Sequence, residues 1–194
     1  MSNVMEIQAA VTANFLLMSE ESITGRVLDV GCGAKPYKRM FPECEWTGLD
    51  ARPVGEVTAD MDLDYDLEPE FDTVLCTDAL QFSRDPKRAV GNMAYALKSG
   101  GHLIITAPNC AEDDDSRWRF TLGGLGELVH LAGLELIYIG DGRAEGFGGL
   151  FQALGNDLKN SFEYRAEVPA NFDGWTAAMD SKYPMLSCVI ARKP

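Results

Sequence analysis

The residues best suited to chemistry gather around Gly31-Cys32-Gly33, which ends a short apolar run of Val27, Leu28 and Val30. Missing side chains at the two glycines permit a tight turn and let a ligand approach the backbone closely. Asp50 follows Gly33 by 17 residues and ends the next apolar run, Trp46 to Leu49. A glycine turn with an acid at the tip of the next strand is how an open α/β sheet holds the hydroxyls of an adenosine ribose. Asp29, polar within the first apolar run, is placed to meet a cationic amine at the strand tip or to bond neighbouring turn amides. Asp78, at the end of FDTVLCT, is the first candidate general base, with Asp113 to Asp115 as alternatives. A strand-tip aspartate equally suits a turn or cap. Phe82 and Trp118 suit stacking on a substrate or closing the core, and Arg119 suits an anionic substrate or the Asp113–Asp115 cluster.

The turn and acid together fit two cofactor classes. Dinucleotide proteins favour G-x-G-x-x-G, whose later glycines make room for a pyrophosphate. Here the sixth position is Pro36, which lacks the N–H that such a site uses. That weighs against a nicotinamide or flavin.

Placing a glycine turn and an acid side by side requires a parallel sheet. Residues 3–20 carry Ile7, Val11, Phe15 and Met18 at helical spacing. A short helix is expected over Lys35 to Phe41, with Pro36 in its first turn. A third strand, Glu56 to Ala59, follows Asp50 too closely for a crossover helix. Beyond Asp60 the chain is acidic and interrupted by proline, hence a loop. Phe71 to Thr77 is the next strong strand. Asp85 and Pro86 then supply an N-cap and a first helical position. Val90, Met93, Ala94 and Leu97 share one face of that helix, and Gly100 is expected to close it. Gly101 to Ala107 reads as a strand, so strand, helix and strand form a right-handed parallel crossover. The crevice where strand order reverses is the default binding site of such sheets.

Residues 109–120 form a polar loop, Thr121 to Ala132 a weak helix and Leu134 to Ile139 a strand. Five of the ten residues from Gly140 to Gly149 are glycine, suiting either a lid hinge or a surface connector. Leu150 to Phe162 can be helical, 163–183 reads as a connection, and Met185 to Ala191 as a final buried strand. A single domain is expected over 1–194. It comprises an N-terminal helical segment (1–24), a cofactor-binding core (25–140), and a lid or connector with the C-terminal strand (141–194).

The chain has 194 residues and a net charge of −13, which argues against tight non-specific binding to nucleic acid. Its five cysteines lack a C-x-x-C pair, and only two histidines occur, so neither a disulfide framework nor a metal site is expected. Cys76 and Cys188 lie in apolar runs and suit core packing. No basic, apolar leader opens the sequence and no apolar run has the length of a membrane span. A cytoplasmic location is expected.

Several segments together carry a family resemblance. VLDVGCGAKPY, GLD at 48–50, AD at 59–60 and FDTVLCTDAL are followed in order by DPKRAVGNMAYALKSGGHLIITAPN and RFTLGGLGELVHLAGLEL. Over residues 25–140 these resemble the class I S-adenosylmethionine-dependent methyltransferases. The resemblance implies a Rossmann-like three-layer α/β/α sandwich. Its mostly parallel seven-stranded sheet would have an antiparallel last strand, with helices reduced between strands 2 and 4. It implies that Asp29, Gly31, Cys32 and Gly33 border the methionine portion of S-adenosylmethionine. Asp50 would hold the ribose hydroxyls with Ala51 beside it, and Asp60 and Met61 would frame the adenine. Thr77, Asp78 and Ala79 would lie near the sulfonium.

The chain departs from the family pattern at Lys35, where many members have a third glycine. It departs again at Gln81-Phe82, where many small-molecule members have Glu-His. The reading is a methyltransferase acting on a small-molecule or sugar-like acceptor. The alternatives are a cofactor-binding module without catalysis and a nicotinamide-dependent oxidoreductase.

Overall fold

The computed structural model describes residues 3–62, 68–109, 115–140 and 186–194. Seven strands form one sheet: β1 (Arg26–Val30), β2 (Glu45–Asp50), β3 (Val57–Thr58), β4 (Phe71–Thr77), β5 (Leu97–Pro108), β6 (Glu135–Gly140) and β7 (Leu186–Arg192). Their order is β3-β2-β1-β4-β5-β7-β6. β1 pairs in parallel with both β2 and β4, and β4 with β5, whereas β7 runs antiparallel between β5 and β6. The expected Rossmann-like sheet with an antiparallel last strand is therefore present. Strand order reverses between β1 and β4, which puts the crevice at their carboxyl ends.

Alternation along the strands divides the core into two layers. Leu28, Val30, Leu49, Val74 and Ile105 face α2 (Pro86–Ala96) and α3 (Leu122–Leu131). Val27, Trp46, Leu75 and Ile104 face Val11, Phe15 and Leu16 of α1 (Asn3–Met18). Val27, Leu28 and Val30 are fully buried, worth on the order of 1.5–3 kcal/mol each. The strand that delivers the glycine turn is thus gripped from both sides. Cys76 and Cys188 are core residues, as their apolar neighbours suggest.

Caps fix the helix starts. Asp85 accepts the Arg88 amide at 3.1 Å with Pro86 in the first turn, and Thr121 accepts the Gly124 amide at 3.1 Å. The expected ends shift in three places. α2 stops at Ala96 rather than at Gly100, because fully buried Leu97 turns extended and pairs with Phe71. β5 consequently starts at Leu97 and carries an irregularity, with Gly100 at φ 81°, before pairing resumes at His102. The expected helix over Lys35 to Phe41 shrinks to one 3-10 turn, Lys38–Met40, as Lys35 adopts φ 54°. The third strand is only Val57–Thr58, and no helix lies between β2 and β4 among the described residues. The expectations for the glycine-rich segment, the helix from Leu150 and the connection to 183 fall outside the described residues. Among those described, no helix is long and apolar enough to cross a membrane.

Candidate active site

The carboxyl ends of β1, β2, β3 and β4 surround a cavity of about 490 Å³. Gly31, Asp50 and Ala51 line one side of it, Asp60 and Met61 an end, and Asp78, Ala79 and Phe82 the other side. With Asp115, nine residues singled out from the sequence therefore share one cavity.

Three loops are laced together to make it. The Gly31 and Cys32 amides both donate to the Leu49 carbonyl, at 2.7 and 3.1 Å, holding the glycine turn against β2. Gly31 has φ 73°, and a Cβ there would stand 2.4 Å from the Ala79 Cβ, so only glycine lets the β1 and β4 loops touch. Asp62 accepts the Ser83 hydroxyl at 2.5 Å and the Arg84 amide at 2.6 Å, tying the chain after β3 to the loop after β4. Asn92 of α2 donates to the Met61 carbonyl at 3.1 Å.

Asp50 is saturated with donors. Its Oδ1 accepts the Arg52 amide at 2.9 Å and Arg52 Nε at 3.0 Å. Its Oδ2 accepts the Gly33 amide at 3.0 Å and Arg52 Nη2 at 3.2 Å. Burial alone would raise this carboxyl, but the Arg52 and Gly33 hydrogen bonds outweigh it and hold it below the usual carboxylate range.

Lys35, the departure from a third glycine, points behind the turn. Its Nζ pairs with Glu56 Oε1 at 2.5 Å, and Glu56 Oε2 accepts the Gly48 amide at 2.6 Å. The lysine hydrogen bond, then the Gly48 amide, hold Glu56 down to about 2. Lysine at this position leaves the turn open and clips it to the chain before β3.

At the β4 tip, Asp78 has φ 50°, rare for a residue with a side chain. Thr12 of α1 donates to its Oδ2 at 2.6 Å and Thr106 of β5 to its Oδ1 at 3.3 Å. Its own amide donates to the Thr106 carbonyl at 2.9 Å, and Gln81 Nε2 donates to its carbonyl at 2.8 Å. Burial pushes the carboxyl above its ordinary value against hydrogen bonds from Thr12, Gln8 and Thr106.

Other sequence candidates, Asp115 apart, stand off the cavity. Asp29 lies on the α1 face of β1, almost fully buried, and accepts Trp46 Nε1 at 3.3 Å. Burial raises it to about 7. Cys32 is buried beneath the turn, and burial pushes its thiol up to about 11. Gly33 meets the site through its amide on Asp50, and Thr77 pairs with Thr106 in the sheet. Trp118 is exposed and donates from Nε1 to the Ser83 carbonyl at 2.8 Å, while Arg119 Nη1 donates to the Trp118 carbonyl at 3.1 Å. Asp113 and Asp114 fall outside the described residues, and Asp115 lines the cavity.

Arg52, Arg84 and Arg117 also line the cavity and were not singled out from the sequence. Arg117 Nη1 donates to the Phe82 carbonyl at 2.6 Å, and its amide to the Gln81 carbonyl at 2.9 Å. Arg52 stands two positions after Asp50, and that spacing was the available signal. Arg84 and Arg117 carried none, because the approach of 115–118 to the β4 loop is a tertiary event. Buried Gln81 Oε1 and Ser116 Oγ have no hydrogen-bond partner among the described residues. No group of three metal-ligating side chains gathers among the described residues either.

The sheet order, the reversal at β1/β4 and an acid beside a glycine turn define a class I S-adenosylmethionine-dependent methyltransferase fold. The sequence profile described as "Methyltransferase domain" matches residues 6–138, and the chain belongs to that family. A ubiquinone biosynthesis O-methyltransferase of Alkalilimnicola ehrlichii is 31% identical over 104 residues, covering 43% of this chain and 42% of that enzyme. Among solved structures, an S-adenosylmethionine-dependent methyltransferase from Mesorhizobium loti superposes with TM-score 0.64 at 17% identity, covering 93% of this chain and 98% of that one. Phosphoethanolamine N-methyltransferase 2 of Haemonchus contortus, in complex with S-adenosyl-L-methionine, gives TM-score 0.64 at 18% identity over 93% of this chain and 52% of its own. The chain thus spans about half or less of the Alkalilimnicola and Haemonchus enzymes.

Proposed function

We propose that the cavity binds S-adenosylmethionine and that the protein transfers its methyl group to a small-molecule acceptor. The observation that carries this is the convergence of Gly31, Asp50, Asp60, Met61 and Ala79 on one cavity of about 490 Å³. The residues fit the cofactor. Asp50 offers two carboxylate oxygens to a ribose diol, Ala51 and Met61 are apolar neighbours for an adenine, and Asp60 accepts from its edge. Gly31 leaves the backbone bare where the methionine portion would pass.

The cofactor's sulfonium supplies an electrophilic methyl group, so the protein's task is to aim a nucleophile. Phe82, Arg84 and Arg117 flank the acceptor side, with the Phe82 ring exposed to take an apolar or planar group. An acceptor hydroxyl or ammonium must also lose a proton. Asp78 is the candidate to receive it, since burial raises its basicity at the cavity wall.

A second reading, cofactor binding without catalysis, draws on a specific observation. Both Asp78 oxygens already accept hydroxyl protons from Thr12 and Thr106. Phe82 stands where many relatives have histidine. A nicotinamide-dependent reaction remains disfavoured by Pro36.

Thermal denaturation with S-adenosylmethionine, S-adenosylhomocysteine and NAD tests the reading. A sulfur ligand at 100 Kd should stabilise the fold by about 2.7 kcal/mol, and NAD should leave it unmoved. A response to NAD alone would overturn the proposal. Release of S-adenosylhomocysteine with small-molecule acceptors separates catalysis from binding.

A further inference from the structure

Asp50 presents a geometric conflict. A carboxylate has about four lone-pair positions. Here all four are filled, two by backbone amides of Gly33 and Arg52 and two by the Arg52 guanidinium. The amides are fixed by the turn and the chain after β2. The guanidinium is held on a long flexible stem and its side chain is 70% exposed, against 8% for Asp50. A ribose diol brings two hydroxyl donors to the same two oxygens. The guanidinium is the group that must leave. Its Nη2 also lies over the glycine turn, 3.8 Å from where a Gly33 Cβ would stand.

We propose that Arg52 is a built-in competitor for the ribose site, holding both oxygens of Asp50 until a ligand's vicinal diol displaces its forked guanidinium. The inference rests on the reading of Asp50 as the ribose acid. Arg52 therefore sets the affinity of nucleoside capture. A nucleoside with both hydroxyls fills both vacated positions, and the cost of moving the guanidinium is common to every ligand that enters. Arginine is suited to this role because its planar fork meets the two oxygens in parallel bonds, whereas lysine presents a point charge.

Salt dependence follows from the same exchange. Dissolved ions weaken an exposed ion pair in the free protein. They act little on a neutral nucleoside. Binding of adenosine should therefore tighten as salt rises, opposite to the trend of a site that captures a charged ligand by attraction.

The test is calorimetric titration of the full chain and of Arg52→Gln with adenosine and 2′-deoxyadenosine, at low and high sodium chloride. Arg52→Gln should bind adenosine roughly two- to five-fold more tightly at low salt, the range expected for releasing an exposed ion pair. The wild-type affinity should approach that of the variant as salt rises, while the variant stays flat. The preference for adenosine over its 2′-deoxy form should be the same in both proteins, because either ligand displaces the guanidinium. Arg52→Lys should fall between the two proteins. Equal or weaker adenosine binding by Arg52→Gln overturns the competitor role and leaves the cofactor reading intact. If neither adenosine nor S-adenosylhomocysteine binds either protein, the cofactor reading falls and this inference falls with it.

Discussion

On the β1–β2 side of the cavity, Asp50 has four donors, Glu56 holds both Lys35 and the Gly48 amide, and the turn amides sit on Leu49. On the β4 side, Ala79 and the 38% exposed Phe82 ring line the cavity, with Asp78 bonded to Thr12 and Thr106. A ligand reaches the first wall only by exchange, giving hydrogen bonds in place of those it breaks. The second wall can take a ligand by addition, since contact with the Ala79 methyl and the Phe82 ring displaces no hydrogen bond of the protein. The first arrangement suits one ligand of fixed shape, and the second suits an acceptor that differs between related proteins.

The comparison breaks most readily at Asp50. Asp50→Ala should weaken S-adenosylhomocysteine binding by roughly 2–4 kcal/mol, thirty- to thousand-fold in Kd, in a variant that still folds but melts lower because the Gly33 and Arg52 amides lose their acceptor. Calorimetry and thermal denaturation measure the two quantities. Near-native affinity in the folded variant would show that the exchange wall is not where the ribose sits.

Asp29 sharpens the boundary of that wall. Its pKa is raised from about 3.8 to about 7 by burial, so the folded chain holds this proton where the unfolded chain has lost it. The stabilising contribution is fully present below about pH 4 and is lost as pH rises through about 7. It amounts to a few kcal/mol on the order of magnitude. In Asp29→Asn this slope should vanish from urea denaturation between pH 4.5 and 8 (roughly the window set by the two pKa values), and cofactor affinity should hold. A large loss of affinity would place Asp29 in the ligand wall rather than behind it.

The smallest expected effect lies on the additive wall. Thr12→Val removes one donor to Asp78 and should destabilise the fold by about 1 kcal/mol, with faster amide exchange in α1. Binding of S-adenosylhomocysteine should stay within about two-fold. If it fell as in Asp50→Ala, the two walls would act as one unit.

The exchange wall was the more legible in sequence because its parts are close in the chain. Strand, turn and acid span residues 26–50, and local rules for buried strands and glycine turns suffice to read them. Lys35 misled only in its effect. Its positive φ and its pairing with Glu56, 21 positions away, keep it behind the turn. Asp29 was visible as a polar residue in an apolar run, but period-2 alternation does not say which face of β1 meets α1. The additive wall depends on partners far along the chain. Asp78 is held by Thr12 and Thr106, 66 and 28 positions away, and Arg117 arrives from a separate loop. The early end of α2 was hidden for a related reason, since the pairing of Leu97 with Phe71 overrides a helical pattern that runs on past it.

The place of β7 carries a consequence for synthesis. It is the last strand in the chain, yet it lies inside the sheet and joins β5 to β6. Until it emerges from the ribosome, β5 presents a bare hydrogen-bonding edge and β6, with Leu136 and Ile137 exposed, has no neighbour in the sheet. The cavity can thus be assembled from β1 to β5 while the far side of the sheet is still open to pairing with another nascent chain. A product stopped before Leu186 would lose two strand ladders at once, and misassembly would begin at that edge rather than at the pocket.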